Sequence, residues 1–224
     1  MSIKDRESKV KSSRTFHNIR NIFNLSDKIV CDVGCGFGEY LRFFRSGSIG
    51  ITTTKEEAEY AKKNGLDVVL ANAEKIGDSF SDKTFDVIWA NNLIEHLLSP
   101  HAFLVRLKRI SRDDTISIIG VPVIPKITSL VFFKLFRGTL ASNHINFFTE
   151  TTLHFTIERA GWKIKEIRPF IFKNYFMDMC ARPFAPHLYA VAHNDTSFSY
   201  AAKKISEWSG DDYYSDILKI TKQI

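Results

Sequence analysis

The sequence predicts an α/β fold, a mostly parallel sheet with helices on both faces. Apolar strand segments alternate with helical segments over the first 120 residues, and a glycine-rich turn follows the first strand, between Val30 and Leu41. Regular β-α alternation is typical of doubly wound sheets, in which ligands bind at the carboxyl ends of the strands. The predicted strands span 29–33, 48–51, 68–71, 85–90, 116–121, 162–167 and 188–192, and the predicted helices span 12–25, 39–45, 55–64, 100–110 and 150–160.

Length and composition predict one domain with extensions, because 224 residues of 44% hydrophobic content bury one substantial core. We expect a helical extension over 1–26, a core domain over 27–194 with a lid-like insertion at about 123–148, and a helical extension over 195–224. The first fourteen residues alternate charges and lack the apolar core of a signal peptide. The longest apolar stretch, 127–136, is too short for a membrane span of roughly 20 residues.

The three cysteines, Cys31, Cys35 and Cys180, form neither a disulfide framework nor a zinc-ligand spacing. We therefore expect a reducing, cytoplasmic location and no metal site. The net charge is +6, and the basic residues concentrate downstream, over 101–186. An anionic substrate, a lipid surface or a nucleic acid would each suit such a region, and so would an ordinary solvated surface.

The turn after the first strand predicts a ligand without phosphate. Gly34, Gly36 and Gly38 alternate, so a ligand approaches the backbone closely. A dinucleotide fingerprint would place a glycine where this chain has Glu39, and that carboxylate, on the first turn of the predicted helix, repels a diphosphate. A cationic or zwitterionic group near Asp32 and Glu39 fits better. S-adenosylmethionine has a sulfonium, an ammonium, a ribose and an adenine but no phosphate.

On this acid followed by G-x-G-x-G, the chain resembles the class I S-adenosylmethionine-dependent methyltransferases over about residues 24–193. The resemblance implies a Rossmann-like seven-stranded sheet with an antiparallel last strand, S-adenosylmethionine as cofactor and S-adenosylhomocysteine as product. It implies cofactor contacts from the first strand and its turn: Asp32, Gly34, Cys35, Gly36 and Gly38.

Two positions depart from the family pattern. Thr52 stands where an acid usually holds the ribose, and the similar cyclopropane-synthase branch implies that Thr52 and Glu57 share this contact, although Glu57 is equally well a solvated helix residue. Asn72, followed by Ala73, stands where an acid usually accepts the adenine amino group. Its amide offers the same acceptor together with a donor.

The fourth motif of the family, F-D-V followed by E-H, matches residues 85–96. The match implies that Asn91, Asn92 and Leu93 lie beside the methyl donor. His96 is a candidate base, although in this family the Glu-His pair often only begins a helix. His144 is the second candidate: its H-x-x-x-F segment is similar to one in ubiquinone-type O-methyltransferases, and the alternative is a loop histidine that closes the acceptor pocket.

These features favour methylation of a hydroxyl on a small-molecule, glycan or lipid-like acceptor, because a hydroxyl needs a base near neutral pH. The fourth strand lacks the N/D-P-P-Y/F motif of amino-methylating DNA enzymes, and no cysteine follows a proline, so a nucleic-acid partner is disfavoured. The apolar, basic stretch 127–138 suits peripheral membrane contact or ordinary packing over the sheet. Two alternatives are a catalytically silent binding module and a nicotinamide oxidoreductase, which Glu39 opposes.

Overall fold

The fold is described from a computed structural model, in which residues 2–76, 80, 85–127 and 143–221 are placed. Seven strands form one sheet in the order β3-β2-β1-β4-β5-β7-β6. The strands β1 to β5 run parallel, whereas β7 is antiparallel to both β5 and β6. The strands are β1 Val30–Val33, β2 Ile49–Thr52, β3 Val68–Leu70, β4 Phe85–Asn91, β5 Ser111–Pro122, β6 Trp162–Arg168 and β7 His187–Asn194. The predicted seven-stranded, Rossmann-like sheet is confirmed.

Helices cover the sheet and flank it at both ends of the chain. Those placed in the described ranges are α1 Ile3–Ser12, α2 Arg14–Ile22, α3 Lys55–Lys63, α4 Pro100–Leu107, α5 Glu150–Glu158, α6 Tyr175–Ala181, α7 Ala202–Trp208 and α8 Asp212–Ile220. Side-chain caps account for where two of these helices begin. Ser99 accepts a hydrogen bond from the backbone of Ala102 ahead of Pro100, and Thr149 forms a capping box with Thr152.

The amino-terminal segment holds two helices where the sequence predicted one. Ser13 ends α1 and caps α2, so the chain turns between them. Phe16 of α2 is buried and lies edge-on to Trp89 of β4, with ring centroids 5.7 Å apart. Asn18 donates to the carbonyl oxygen of Phe170. This packing fixes α2 against the sheet and brings α1 to the site described below.

The chain after the glycine turn corrects the sequence-based prediction. A helix was expected over 39–45, but only the 3₁₀ turn Leu41–Phe43 forms, closed by i→i+3 bonds such as Phe44 N–H to the Leu41 carbonyl. The ring of Phe43 here packs edge-on to Phe16, 5.5 Å away, which holds the short turn. Glu39 therefore begins no α-helix, and its predicted place on the first turn of a helix is wrong.

The carboxyl-terminal helices pack against α4. Ile217 and Leu218 of α8 are buried, and Arg106 of α4 is 3.2 Å from the carboxylate of Asp216. Among the placed segments, none of the helices has the length and apolar character needed to cross a membrane. Of the stretch 127–138, for which the sequence left membrane contact and packing over the sheet both open, only Ile127 lies among the described residues.

Candidate active site

The first strand ends in a glycine turn that is tied to its neighbour. The backbone N–H groups of Gly34 and Cys35 both donate to the carbonyl oxygen of Ile51, each over 2.9 Å. The Cys35 side chain is buried against Gly50 of β2, where an added Cβ would come within 2.6 Å of Sγ. Gly34, Gly36 and Gly38 all have positive φ, which L-residues rarely adopt. The turn therefore has a fixed shape that depends on glycine.

A cavity of about 710 Å³ opens over this turn at the carboxyl ends of the strands. Its lining brings together nine of the predicted site residues. They are Gly34, Gly36, Thr52, Glu57, Asn72, Ala73, Asn92, Leu93 and His96. A smaller cavity of about 330 Å³ shares Gly34, Gly36 and Asn92 with it and adds Cys35 and Asn91. The predicted residues of four strand ends thus share one continuous site.

Two acids lie beneath the glycine turn with little solvent. Asp32 is 1% exposed, and its Oδ2 has no hydrogen-bond partner among the placed residues. Burial raises the pKa of Asp32 well above its ordinary value, and the nearby Glu39 carboxylate adds to the rise. Burial raises the pKa of Glu39 too, although Arg6 lies 3.8 Å from its carboxylate. Such a pair of desolvated acids favours a cationic ligand.

Side chains after β2 and β3 are held by local hydrogen bonds. The Thr52 hydroxyl donates to Oε2 of Glu57 over 2.5 Å, so these two residues act as a unit. Asn72 accepts the backbone N–H of Glu74 with its Oδ1, over 2.8 Å. That contact uses one of the two lone pairs of the carbonyl oxygen that was expected to serve adenine, and the amide NH₂ offers a donor beside it.

The end of β4 is shaped by two polar contacts that the sequence did not predict. Asn91 donates from Nδ2 to the Tyr40 hydroxyl over 3.1 Å, and burial raises the pKa of Tyr40 to about 12. Asn92 has φ of 52° and accepts from Nε2 of His187 over 2.9 Å. Burial lowers the pKa of His187 to about 4, so its ring is neutral at physiological pH. Both asparagines are therefore oriented by residues outside the family motif.

Beyond Leu93, the chain makes the 3₁₀ turn Ile94–His96 and meets the segment 143–148. The backbone N–H groups of Ile145 and Asn146 donate to the carbonyl oxygen of Glu95, each over 3.0 Å. The rings of His96 and His144 lie edge to face, with centroids 4.7 Å apart. Glu95 is 1% exposed, and burial raises the pKa of its carboxyl to about 7. Two histidines and a carboxyl thus meet next to the larger cavity.

Comparison with known proteins identifies the family. A family model described as a methyltransferase domain matches residues 6–167. The chain belongs to this family. The predicted class I S-adenosylmethionine-dependent methyltransferase is confirmed, and with it the enzyme class and its cofactor, S-adenosylmethionine.

Relatives of this methyltransferase are distant. The uncharacterized protein MJ1123 of Methanocaldococcus jannaschii is 30% identical over 90 residues, which is 40% of this chain and 42% of that protein. A SAM-dependent methyltransferase from Archaeoglobus fulgidus has the same fold, with 20% identity, a TM-score of 0.60, and 84% of this chain and 97% of that chain covered. Magnesium protoporphyrin IX methyltransferase from Synechocystis, solved with bound SAH, is 14% identical with a TM-score of 0.53. The match covers 84% of this chain and 82% of that chain.

Three predicted site residues of the methyltransferase line neither cavity. Asp32 lies beneath the turn, Gly38 packs against Leu66, and His144 contacts the site through the ring of His96. Arg6 of α1 lines both cavities and was missed. Nothing in the sequence near Arg6 marks it, because it reaches the site only through the packing of the amino-terminal helices.

Proposed function

We propose that this methyltransferase transfers a methyl group from S-adenosylmethionine to a hydroxyl of a small-molecule, glycan or lipid-like acceptor. The observation that carries the proposal is the continuity of the larger cavity. It runs from the glycine turn past Thr52 and Asn72 to His96, whose ring touches His144. A donor seated on the turn would have its methyl group near a pair of imidazoles.

The cofactor contacts follow from the chemistry of the lining. The Oδ2 of Asp32, which has no hydrogen-bond partner within the described ranges, fits the ammonium group of the donor, since a cation offsets the cost of a buried carboxylate. Arg6 is placed to receive the carboxylate of the same amino acid moiety. The Thr52–Glu57 pair fits the ribose hydroxyls, and Asn72 with Ala73 fits the adenine. The glycines permit close approach of the backbone.

The base chemistry belongs to the far end of the site. In the transfer, the acceptor oxygen forms a bond to the methyl carbon while the carbon–sulfur bond breaks, and its electron pair stays on sulfur as a neutral thioether. The hydroxyl proton must leave, and we assign its acceptance to His144 and His96. The positive sulfonium is already a good leaving group, so in-line positioning supplies much of the rate.

The surroundings of His144 favour an acceptor with an apolar part. Three exposed apolar side chains lie beside the Ile94–His96 turn or within the 143–148 segment: Leu98, Ile145 and Phe147.

We also propose a cytoplasmic location, in keeping with three free thiols. We propose in addition that the core domain spans 27–194 with an extension on each side. We also propose that the stretch 127–138 contacts a membrane surface.

Isothermal titration of the full chain with S-adenosylmethionine and S-adenosylhomocysteine tests the cofactor, with one site expected. Release of S-adenosylhomocysteine is then followed with phenols, sugars and lipid-dispersed polyprenols as acceptors, against the matching amines. Turnover that requires the hydroxyl supports the proposal. Failure to bind either S-adenosyl compound contradicts it, and tight binding without turnover on any acceptor favours a silent binding module.

A further inference from the structure

Glu95, His96 and His144 each bring one potential ligand atom to a common point, and these atoms all lie within 4.8 Å of one another. The cluster joins distant parts of the chain, since Asn143 lies 47 residues after its contact His96. Main-chain hydrogen bonds from Ile145 and Asn146 to the Glu95 carbonyl hold the two parts together. The arrangement is therefore a fixed part of the fold.

The Glu95 carboxylate is buried without hydrogen bonds from the described residues, and Nε2 of His96 lies 3.9 Å from its Oε1. Its side chain is 1% exposed, and neither Oε1 nor Oε2 accepts a hydrogen bond from any residue the structure describes. Burying such a group without a partner is costly, and buried charges in proteins are paired or bound to metals. A bound cation would remove this cost.

The tautomer of His96 supports a metal ion over a simple hydrogen bond. The Nδ1 atom of His96 lies 3.1 Å from the carbonyl oxygen of Asn143, which only accepts, so Nδ1 carries the proton. In the neutral ring Nε2 then has a free lone pair, and it lies 3.9 Å from Oε1 of Glu95. A metal-binding histidine commonly donates its other ring N–H to a backbone carbonyl in this way.

We propose that Glu95, His96 and His144 bind a divalent transition-metal ion such as Zn²⁺. Two imidazoles and one carboxylate suit such an ion, whereas Mg²⁺ and Ca²⁺ prefer all-oxygen ligands. Ligands about 2.1 Å from Zn²⁺ lie about 3.4 Å apart in a tetrahedral site, so the observed spacing closes by a modest side-chain movement. The spacing of these residues in the sequence gave no sign of a metal site, because folding alone assembles them.

The role of the ion rests on the proposed function. Three protein ligands leave a fourth position open, next to the cavity end at His96 and Leu97. An acceptor hydroxyl bound there loses its proton to solvent more readily, because the ion lowers its pKa, and the resulting alkoxide attacks the methyl carbon. With the ion bound, the two histidines are its ligands, whereas in the metal-free protein they remain the bases that accept the hydroxyl proton. The site would select acceptors that present an oxygen to the ion.

The test is metal binding to the full chain after chelation. Zn²⁺ is titrated calorimetrically, and Co²⁺ is added as a spectroscopic probe of ligand geometry. We expect one equivalent to bind, with binding at least about 10- to 100-fold weaker in Glu95→Gln and in His144→Asn, because loss of an outer-shell partner alone costs that much. The control is His154→Gln, which alters an exposed His–Glu pair on α5 and is expected to bind as the parent does.

Failure of the parent to bind one equivalent, or equal binding by the parent and both variants, overturns the metal site. Circular dichroism checks that Glu95→Gln is folded, and the half-buried His144 gives an independent variant. S-adenosylmethionine affinity is measured on the same samples. If the parent binds S-adenosylmethionine but no metal, only the metal site is contradicted. If it does not bind S-adenosylmethionine, the proposed function is contradicted.

Discussion

The two ends of the larger cavity are built in different ways. The cofactor end, formed by Asp32, the glycine turn and the residues after β2 and β3, uses side chains next to the strand that positions them. The acceptor end, formed by the Ile94–His96 turn and segment 143–148, joins pieces far apart in sequence. Thr52 and Asn72 have local hydrogen bonds, whereas the Glu95 carboxylate accepts none from the residues that the structure describes. Residues at strand ends are therefore readable from sequence, whereas at the acceptor end the sequence names His96 and His144 singly and only the fold brings them together with Glu95.

The largest effect expected at the cofactor end comes from Asp32→Asn. The substitution keeps the shape but removes the charge that would pair with the donor's ammonium, and a charged hydrogen bond contributes about 1.5–3 kcal/mol. S-adenosylmethionine affinity should fall about 10- to 100-fold by calorimetry. Zn²⁺ binding at the acceptor end should not change, so the variant separates the two ends.

The matched control is Asp67→Asn, an exposed acid just before β3. It should bind S-adenosylmethionine as the parent does. Equal affinity for S-adenosylmethionine in Asp32→Asn and the parent would show that the buried carboxylate is only structural.

Sequence patterns predicted most of the fold because alternation of apolar strands and amphipathic helices is a local property. The family resemblance implied Gly34, Thr52, Asn72 and Asn92, each of which lies at or just after the end of a predicted strand. The short turn at Leu41–Phe43 was missed because aromatic packing on α2 overrides the helical pattern. Arg6, His187 and the Glu95 cluster depend on contacts between distant segments, and no local pattern encodes those.

Gly50→Ala tests the support beneath the glycine turn. A Cβ at this position would come within 2.6 Å of Cys35 Sγ and 2.9 Å of Leu41 Cδ2. Overpacking of a core typically costs about 1–3 kcal/mol, so the free energy of unfolding in urea should fall by that amount. The affinity for S-adenosylmethionine should fall as well, because Cys35 would shift. This outcome would extend the cofactor end to a residue that no ligand touches.

The control for Gly50 is Gly210→Ala, where no atom of the described residues lies within 4 Å of an added Cβ. Its stability should change by no more than about 0.5 kcal/mol. Similar losses in the two variants would mean that the contact with Cys35 is not what sets the cost.

His187 gives a pH-dependent test at the boundary between the two ends. Burial lowers its pKa from 6.5 to about 4, so between these values the folded protein binds fewer protons than the unfolded chain. The free energy of unfolding should then decrease as the pH falls from about 6.5 to about 4. His187→Gln has no titrating ring and should lose less stability over this range, measured by urea unfolding at successive pH values. Parallel curves for the parent and the variant would contradict the assignment.

The smallest effect is expected from Glu57→Gln, which tests whether the Thr52–Glu57 pair replaces the missing ribose acid. The Thr52 hydroxyl already occupies one carboxylate oxygen, so a ribose hydroxyl would gain only the second one. A single hydrogen bond of about 0.5–1.5 kcal/mol predicts a 2- to 10-fold loss of S-adenosylmethionine affinity. The adjacent exposed Glu56→Gln should bind as the parent does. If both variants bind normally, Glu57 is a solvated helix residue, and the cofactor end depends on Asp32 and the glycine turn for most of its affinity.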